Sequence, residues 1–137
     1  MYFWFWFIQC ICILYVYSQQ NSHIPQPLVD SLPDSSFTAT SYDGQPSLTS
    51  QCQPQYARIS SGDDKAWCPS TLGSNEYLQI EFLEYKQLIS VLIYGRPKID
   101  QWVTSYYFQY SVDGVNFISA SNQDNNITFT GNADNKT

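Results

Sequence analysis

The amino-acid sequence predicts an all-β fold, arranged as an antiparallel sandwich or barrel, and three observations carry that reading. No window sustains apolar residues at the three, four and seven spacing of an amphipathic helix. Alternation of apolar and polar residues recurs instead, most clearly in Tyr77-Leu-Gln-Ile-Glu-Phe82. Turn-forming clusters separate the short apolar runs. They are Tyr42-Asp-Gly-Gln-Pro46, Ser60-Ser-Gly-Asp-Asp64 and Thr71-Leu-Gly-Ser-Asn75.

Taken in order, the chain opens on eighteen residues that carry no Lys, Arg, Asp or Glu. The apolar run from Tyr2 to Tyr17 is shorter than the roughly 20 residues a helix needs to cross a bilayer. It fits the core of a secretory signal over residues 1–18, cleaved before Gln19, with small Ser18 just ahead of the cut and Val16 two residues earlier. An uncleaved anchor is the alternative. Cleavage would remove Cys10 and Cys12 and leave Cys52 and Cys68 in an oxidising compartment. The acceptor tripeptides Asn126-Ile-Thr128 and Asn135-Lys-Thr137 agree with export to the cell surface or beyond.

Residues 19–26 form a lead-in to a single domain over 27–137. The stretch 19–36 is rich in Pro, Ser and Gln, reads as extended, and is pinned by Leu28 and Leu32. The dense apolar run at 88–94 suits a strand covered on both faces. Residues 103–111 combine β-branched and aromatic side chains and stop at Val112-Asp-Gly114, where Asp-Gly supplies the positive φ of a tight hairpin. The return strand is expected at 115–119 and another short one at 127–130.

Composition excludes several functions. In 137 residues, 6 Lys and Arg stand against 12 Asp and Glu, a formal net charge of −6, so no basic surplus exists to neutralise nucleic-acid phosphates. Docking on anionic lipid is disfavoured for the same reason. Hydrophobic residues at 43% and aromatics at 17% are too abundant for a disordered chain. The one histidine, His23, sits in the lead-in, and no Gly-x-Ser-x-Gly, phosphate-loop or metal-ligand spacing occurs. Neither an enzyme nor a cofactor or metal site is expected.

Six blocks then occur in a recognisable order. They are Leu32-Pro-Asp-Ser-Ser-Phe-Thr-Ala-Thr-Ser41, Gly62-Asp-Asp-Lys-Ala-Trp-Cys-Pro69, Asn75-Glu-Tyr-Leu-Gln-Ile-Glu81, Asp100-Gln-Trp-Val-Thr-Ser-Tyr106, Gln109-Tyr-Ser-Val-Asp-Gly114 and Phe129-Thr-Gly-Asn-Ala-Asp-Asn135. From Pro27 onward the chain resembles the discoidin domain, also called the coagulation factor V/VIII type C domain. The resemblance implies a jelly-roll barrel of galactose-binding type whose loops at one end bind glycans, collagen-like matrix protein, anionic phospholipid or other cell-surface partners. The stretch from Pro27 to Thr137 is shorter than the family's domain of about 150 residues, the size of a typical domain. The resemblance therefore implies a C-terminally incomplete barrel, and a non-functional truncated fragment of a larger receptor is one alternative. Gln26 stands where the family usually has a cysteine.

With the leader removed, Cys52 and Cys68 have only each other, and their pairing closes a loop worth roughly 3 kcal/mol on the chain-entropy estimate. The resemblance implies another partner for Cys68, near the C terminus of the complete domain. The loops expected at the binding end are 41–50, 61–69 and 95–102. They offer Tyr42, Asp43, Asp64, Trp67, Arg96, Asp100 and Trp102, which together provide stacking faces, bidentate donation and carboxylates. The resemblance to discoidin receptors implies collagen contact at Tyr42, Asp64 and Arg96. Four of the seven also have a structural alternative. Trp67 and Trp102 suit the barrel core, Arg96 can pair with Asp64 or Asp100, and Asp63-Asp64 can be a solvated turn.

Overall fold

A computed structural model of the chain describes residues 2–7, 13–18, 26–62, 64–120 and 128–135. Among these the strands in chain order are β1 (Tyr2–Phe7), β2 (Ile13–Ser18), β3 (Gln26–Pro27), β4 (Phe37–Ala39), β5 (Glu76–Glu81), β6 (Leu88–Tyr94), β7 (Ser105–Ser111), β8 (Ile118–Ser119) and β9 (Phe129–Thr130). They form two antiparallel sheets. The larger has the order β4-β5-β1-β7-β8 with β9 also paired to β7, and the smaller the order β3-β2-β6. The helical content of the described residues is three short 3-10 turns, Asp34–Ser36, Pro54–Tyr56 and Ile59–Ser61.

Alternation along β5 does what period-2 patterning requires: Leu78 and Ile80 are fully buried while Tyr77, Gln79 and Glu81 are only partly covered. Phe82, just past the strand, is buried on the same side. These residues meet Val29, Phe37, Ala57, Trp67 and Val103 in one core, against which Leu88, Val91 and Ile93 of β6 and Tyr106, Phe108 and Tyr110 of β7 pack. Leu28 and Leu32 do rest on this core, yet it is Val29 between them that is fully buried.

The run at 88–94 is a strand with the expected bounds, but it is not covered on both faces. Ser90 and Leu92 are exposed. The register against β2 slips where Ser18 pairs with Leu88 and Tyr17 with Ser90. That bulge shifts the phase of the strand, so Leu88, Val91 and Ile93 share the covered side. The return strand is also shorter than 115–119, because Asp113 organises a wide loop in place of a tight hairpin. Its Oδ1 accepts from the backbone N–H groups of Val115 (2.9 Å) and Asn116 (2.8 Å) and from the Ser111 hydroxyl (2.8 Å). Gly114 takes the expected positive φ of 75°.

The segment read as an export leader contributes β1 and β2. Each residue of β1 has one partner on β5 and one on β7, from Tyr2 opposite Glu81 and Ser111 to Phe7 opposite Glu76 and Tyr106. β5 and β7 thus run parallel to one another across β1, and their first residues lie at one end of the sandwich. The loops that follow β4 and β6 gather at that same end. Residue 19 on the far side of the expected cut, the lead-in residues 20–25, Asp63 and the start of the strand expected at 127 lie outside the described residues.

Candidate functional site

The loop end of the sandwich is built outward from two anchors. The first is Trp67, fully buried, whose indole Nε1–H donates to the Ser41 carbonyl at 2.9 Å. A buried indole both fills volume and needs that acceptor. The second is a disulfide between Cys52 and Cys68, which are 4% and 2% exposed. Around them the loop 41–50 is laced to 66–70: the Asp43 N–H donates to the Cys68 carbonyl (2.8 Å), and the Ser70 N–H to the Ser41 hydroxyl (2.9 Å). Ala66 and Cys68 donate in turn to the carbonyls of Gln51 and Cys52.

Arg96 carries the third loop into this assembly. Its guanidinium is almost wholly buried, with Nε donating to the Asp64 carbonyl (2.8 Å) and Nη1 to Gln101 Oε1 (3.1 Å). The same Nη1 lies 3.6 and 3.7 Å from the Cys52 and Cys68 sulfurs. Arg96 therefore ties 95–102 to 61–69, as one of its expected roles required, but through the backbone of Asp64. The carboxylate of Asp64 faces Lys98 at 3.7 Å, with both side chains more than half exposed. An ion pair so open to water contributes little to stability.

A polar cluster that the sequence did not reveal sits at the start of β5. Glu76 is 7% exposed and accepts from Thr40 (2.5 Å), Ser41 (2.7 Å) and Thr71. Burial works against its charge, but the hydroxyls of Thr40, Thr71 and Ser41 outweigh that and hold its pKa below the ordinary glutamate range. The signal is unreadable in sequence because the partners Thr40 and Ser41 lie 36 and 35 positions away.

The seven expected site residues divide by position. Trp67 lies in the core. Arg96 lies beneath the loops, against the disulfide. Tyr42 is half-buried and packs on the core, and Trp102 is half-buried. Asp43, Asp64 and Asp100 are exposed. Asp100 accepts from the Asn135 amide at 3.2 Å, which brings the asparagine of the second acceptor tripeptide to this end; Lys136, Thr137 and Asn126 lie outside the described residues. Lys98 and Leu72 are exposed loop residues that the sequence did not single out as ligand contacts. Chemically the surface offers carboxylates, amides, the ammonium groups of Lys65 and Lys98 and small apolar patches.

An apolar cleft of about 290 Å³ opens elsewhere, lined by Leu88, Ser90, Val91, Tyr106, Phe108 and Phe129. Its lining holds no carboxylate, imidazole or thiol. Among the described residues no group of three His, Cys, Asp or Glu side chains is placed to hold a metal ion, and no helix is long and apolar enough to cross a membrane.

Two antiparallel sheets with loops knitted together at one end define an all-β binding domain. Over residues 36–137 the chain matches the model of the F5/8 type C domain, and it belongs to that family. Retinoschisin of Mus musculus is 41% identical over 81 residues, covering 57% of this chain and 36% of that protein. Hemocytin of Bombyx mori is 30% identical over 99 residues, or 69% of this chain and 3% of hemocytin. A discoidin-1 polypeptide of Dictyostelium discoideum is 36% identical over 58 residues, 42% of this chain and 23% of that protein. The chain thus spans just over a third of the length of the retinoschisin it matches. No solved structure matches it significantly. Domains of this family are binding modules rather than enzymes.

Proposed function

We propose that the chain acts outside the cell as an adhesion or recognition module, gripping a glycan or a collagen-like matrix protein with the loops 41–50, 61–69 and 95–102. The observation that carries this reading is the way Arg96 and the Cys52–Cys68 bond lock those loops together beneath exposed Asp43, Asp64, Lys98 and Asp100. Loops fixed before contact lose little conformational entropy on binding, and an acidic, hydrogen-bonding surface suits hydroxyl and amide ligands. The test is an array of glycans together with fibrillar collagen, probed with the chain and with Tyr42→Ala and Asp100→Ala. Each substitution is expected to cost about 1–3 kcal/mol of binding, with competition by free sugar for a glycan and none for collagen. Unchanged binding by both variants would remove these loops from the site.

A second reading rests on Leu48 and Leu72, which are 85% and 65% exposed on neighbouring loops. Two such side chains could enter a lipid surface, and sedimentation with phosphatidylserine vesicles tests this. The net charge of −6 argues for weak association.

Export by the N-terminal segment belongs to the same proposal. That segment also supplies β1, so a cut after Ser18 would leave the facing edges of β5 and β7 to be paired by another strand. The mass of the exported chain separates removal from retention.

A further inference from the structure

Asn135 opens the tripeptide Asn135-Lys-Thr137, and the fold delivers its side-chain amide to the third binding loop. The Nδ2 atom donates to Asp100 Oδ1 at 3.2 Å. The backbone is seated just as closely. A Cβ at Gly95 would collide with the Asn135 Cα and come within 3.0 Å of the Asp134 carbonyl oxygen. Three residues earlier, Asn132 donates from its side chain to the Ile93 carbonyl at 2.8 Å, fastening the segment beside the end of β6.

We propose that Asn135 carries an N-linked glycan whose first sugar lies beside Asp100 and covers the loop 95–102, so that occupancy of this one sequon regulates access to the binding surface. The regulatory part rests on the reading of that surface given above. In the transfer, a bond forms between Nδ2 and the anomeric carbon of the first sugar. The bond from that carbon to the diphosphate of a lipid-linked oligosaccharide breaks, and one amide proton leaves to base. The second N–H remains on Nδ2. Asn135 is half-buried in the folded domain, so the transfer has to precede the closure of this segment against Gly95. A glycan is bulky and well hydrated, and from Asn135 it would lie against the loop of Asp100, which also carries the exposed Lys98 and Ile99.

The experiment uses the full chain exported from eukaryotic cells, beside Thr137→Ala, which abolishes the tripeptide, and Thr137→Ser, which preserves it. Glycan release by an amidase in heavy-oxygen water should tag Asn135 in the parent and in Thr137→Ser, and not in Thr137→Ala. Asn126→Gln keeps the tag at 135. Tryptic cleavage after Lys98 should be several-fold slower in the glycosylated chain than in Thr137→Ala. An unmodified Asn135, or equal cleavage of both forms, overturns the proposal. Neither readout involves a ligand, so failure here is distinguishable from failure of the binding function.

Discussion

At the end of the sandwich that holds Glu76 and Arg96, order comes from residues far apart in the chain. At the opposite end it comes from neighbours. Arg96 reaches Asp64 across 32 positions and the Cys52 sulfur across 44, while the loop after β7 is organised by Ser111, Asp113 and Asn116, all within five positions of each other. The far end also leaves Leu83, Tyr85, Val112, Val115 and Ile118 largely exposed. The contrast teaches that the loop end is shaped by the whole fold and stands or falls with the core. The far loop is a local device that can be lost without consequence elsewhere.

The harshest way to break this contrast is Trp67→Ala. Removing a fully buried indole that also bonds Ser41 is expected to cost about 3–5 kcal/mol, read as a lower midpoint in denaturant together with lost protection in 41–50. Next comes Cys52→Ser with Cys68→Ser, expected to lose roughly 3 kcal/mol on the loop-closure estimate. Arg96 then loses its sulfur contacts, and hydrogen exchange should quicken across 61–69 and 95–102 while 111–119 is unchanged.

A smaller effect is expected at Glu76. Its folded pKa is lowered, so its contribution is complete above the ordinary glutamate range and is lost as pH falls through the depressed value. Glu76→Gln should cost about 1–3 kcal/mol at neutral pH and flatten the acid limb of a stability profile. The least effect belongs to Asp113→Ala. Backbone N–H donors from Asn116 and Val115, then the side chains of Asn116 and Ser111, hold that exposed carboxyl far below its usual range. Its loss should raise proteolysis within 112–117 and leave the melting temperature and any rim contact as they were.

How much of this could be read from the sequence follows from the range of the forces involved. The alternation in β5, the bounds of β6 and the positive φ at Gly114 are local properties and were legible. The Cys52–Cys68 bond was legible because the expected mature chain has no other cysteine. Ser111 and Asp113 are two residues apart, yet their capping of the loop was missed because Asp-Gly reads equally well as a tight hairpin. Tertiary assignments were harder. Arg96 carried two open roles in the sequence, and only the fold brings its guanidinium to the sulfurs. The hydroxyls around Glu76 come from separate segments of the chain, and nothing in the spacing links them. The places of β1 and β2 in the two sheets were not legible either, since an apolar leader and an apolar strand have the same composition.

Whether recognition occurs at the tied end is answered most directly by mapping amide chemical shifts on titration with whichever glycan or collagen peptide the array identifies. Perturbations should fall in 41–50, 64–69 and 95–102 and leave 82–87 and 111–119 still. Perturbations confined to those two far turns would contradict the account.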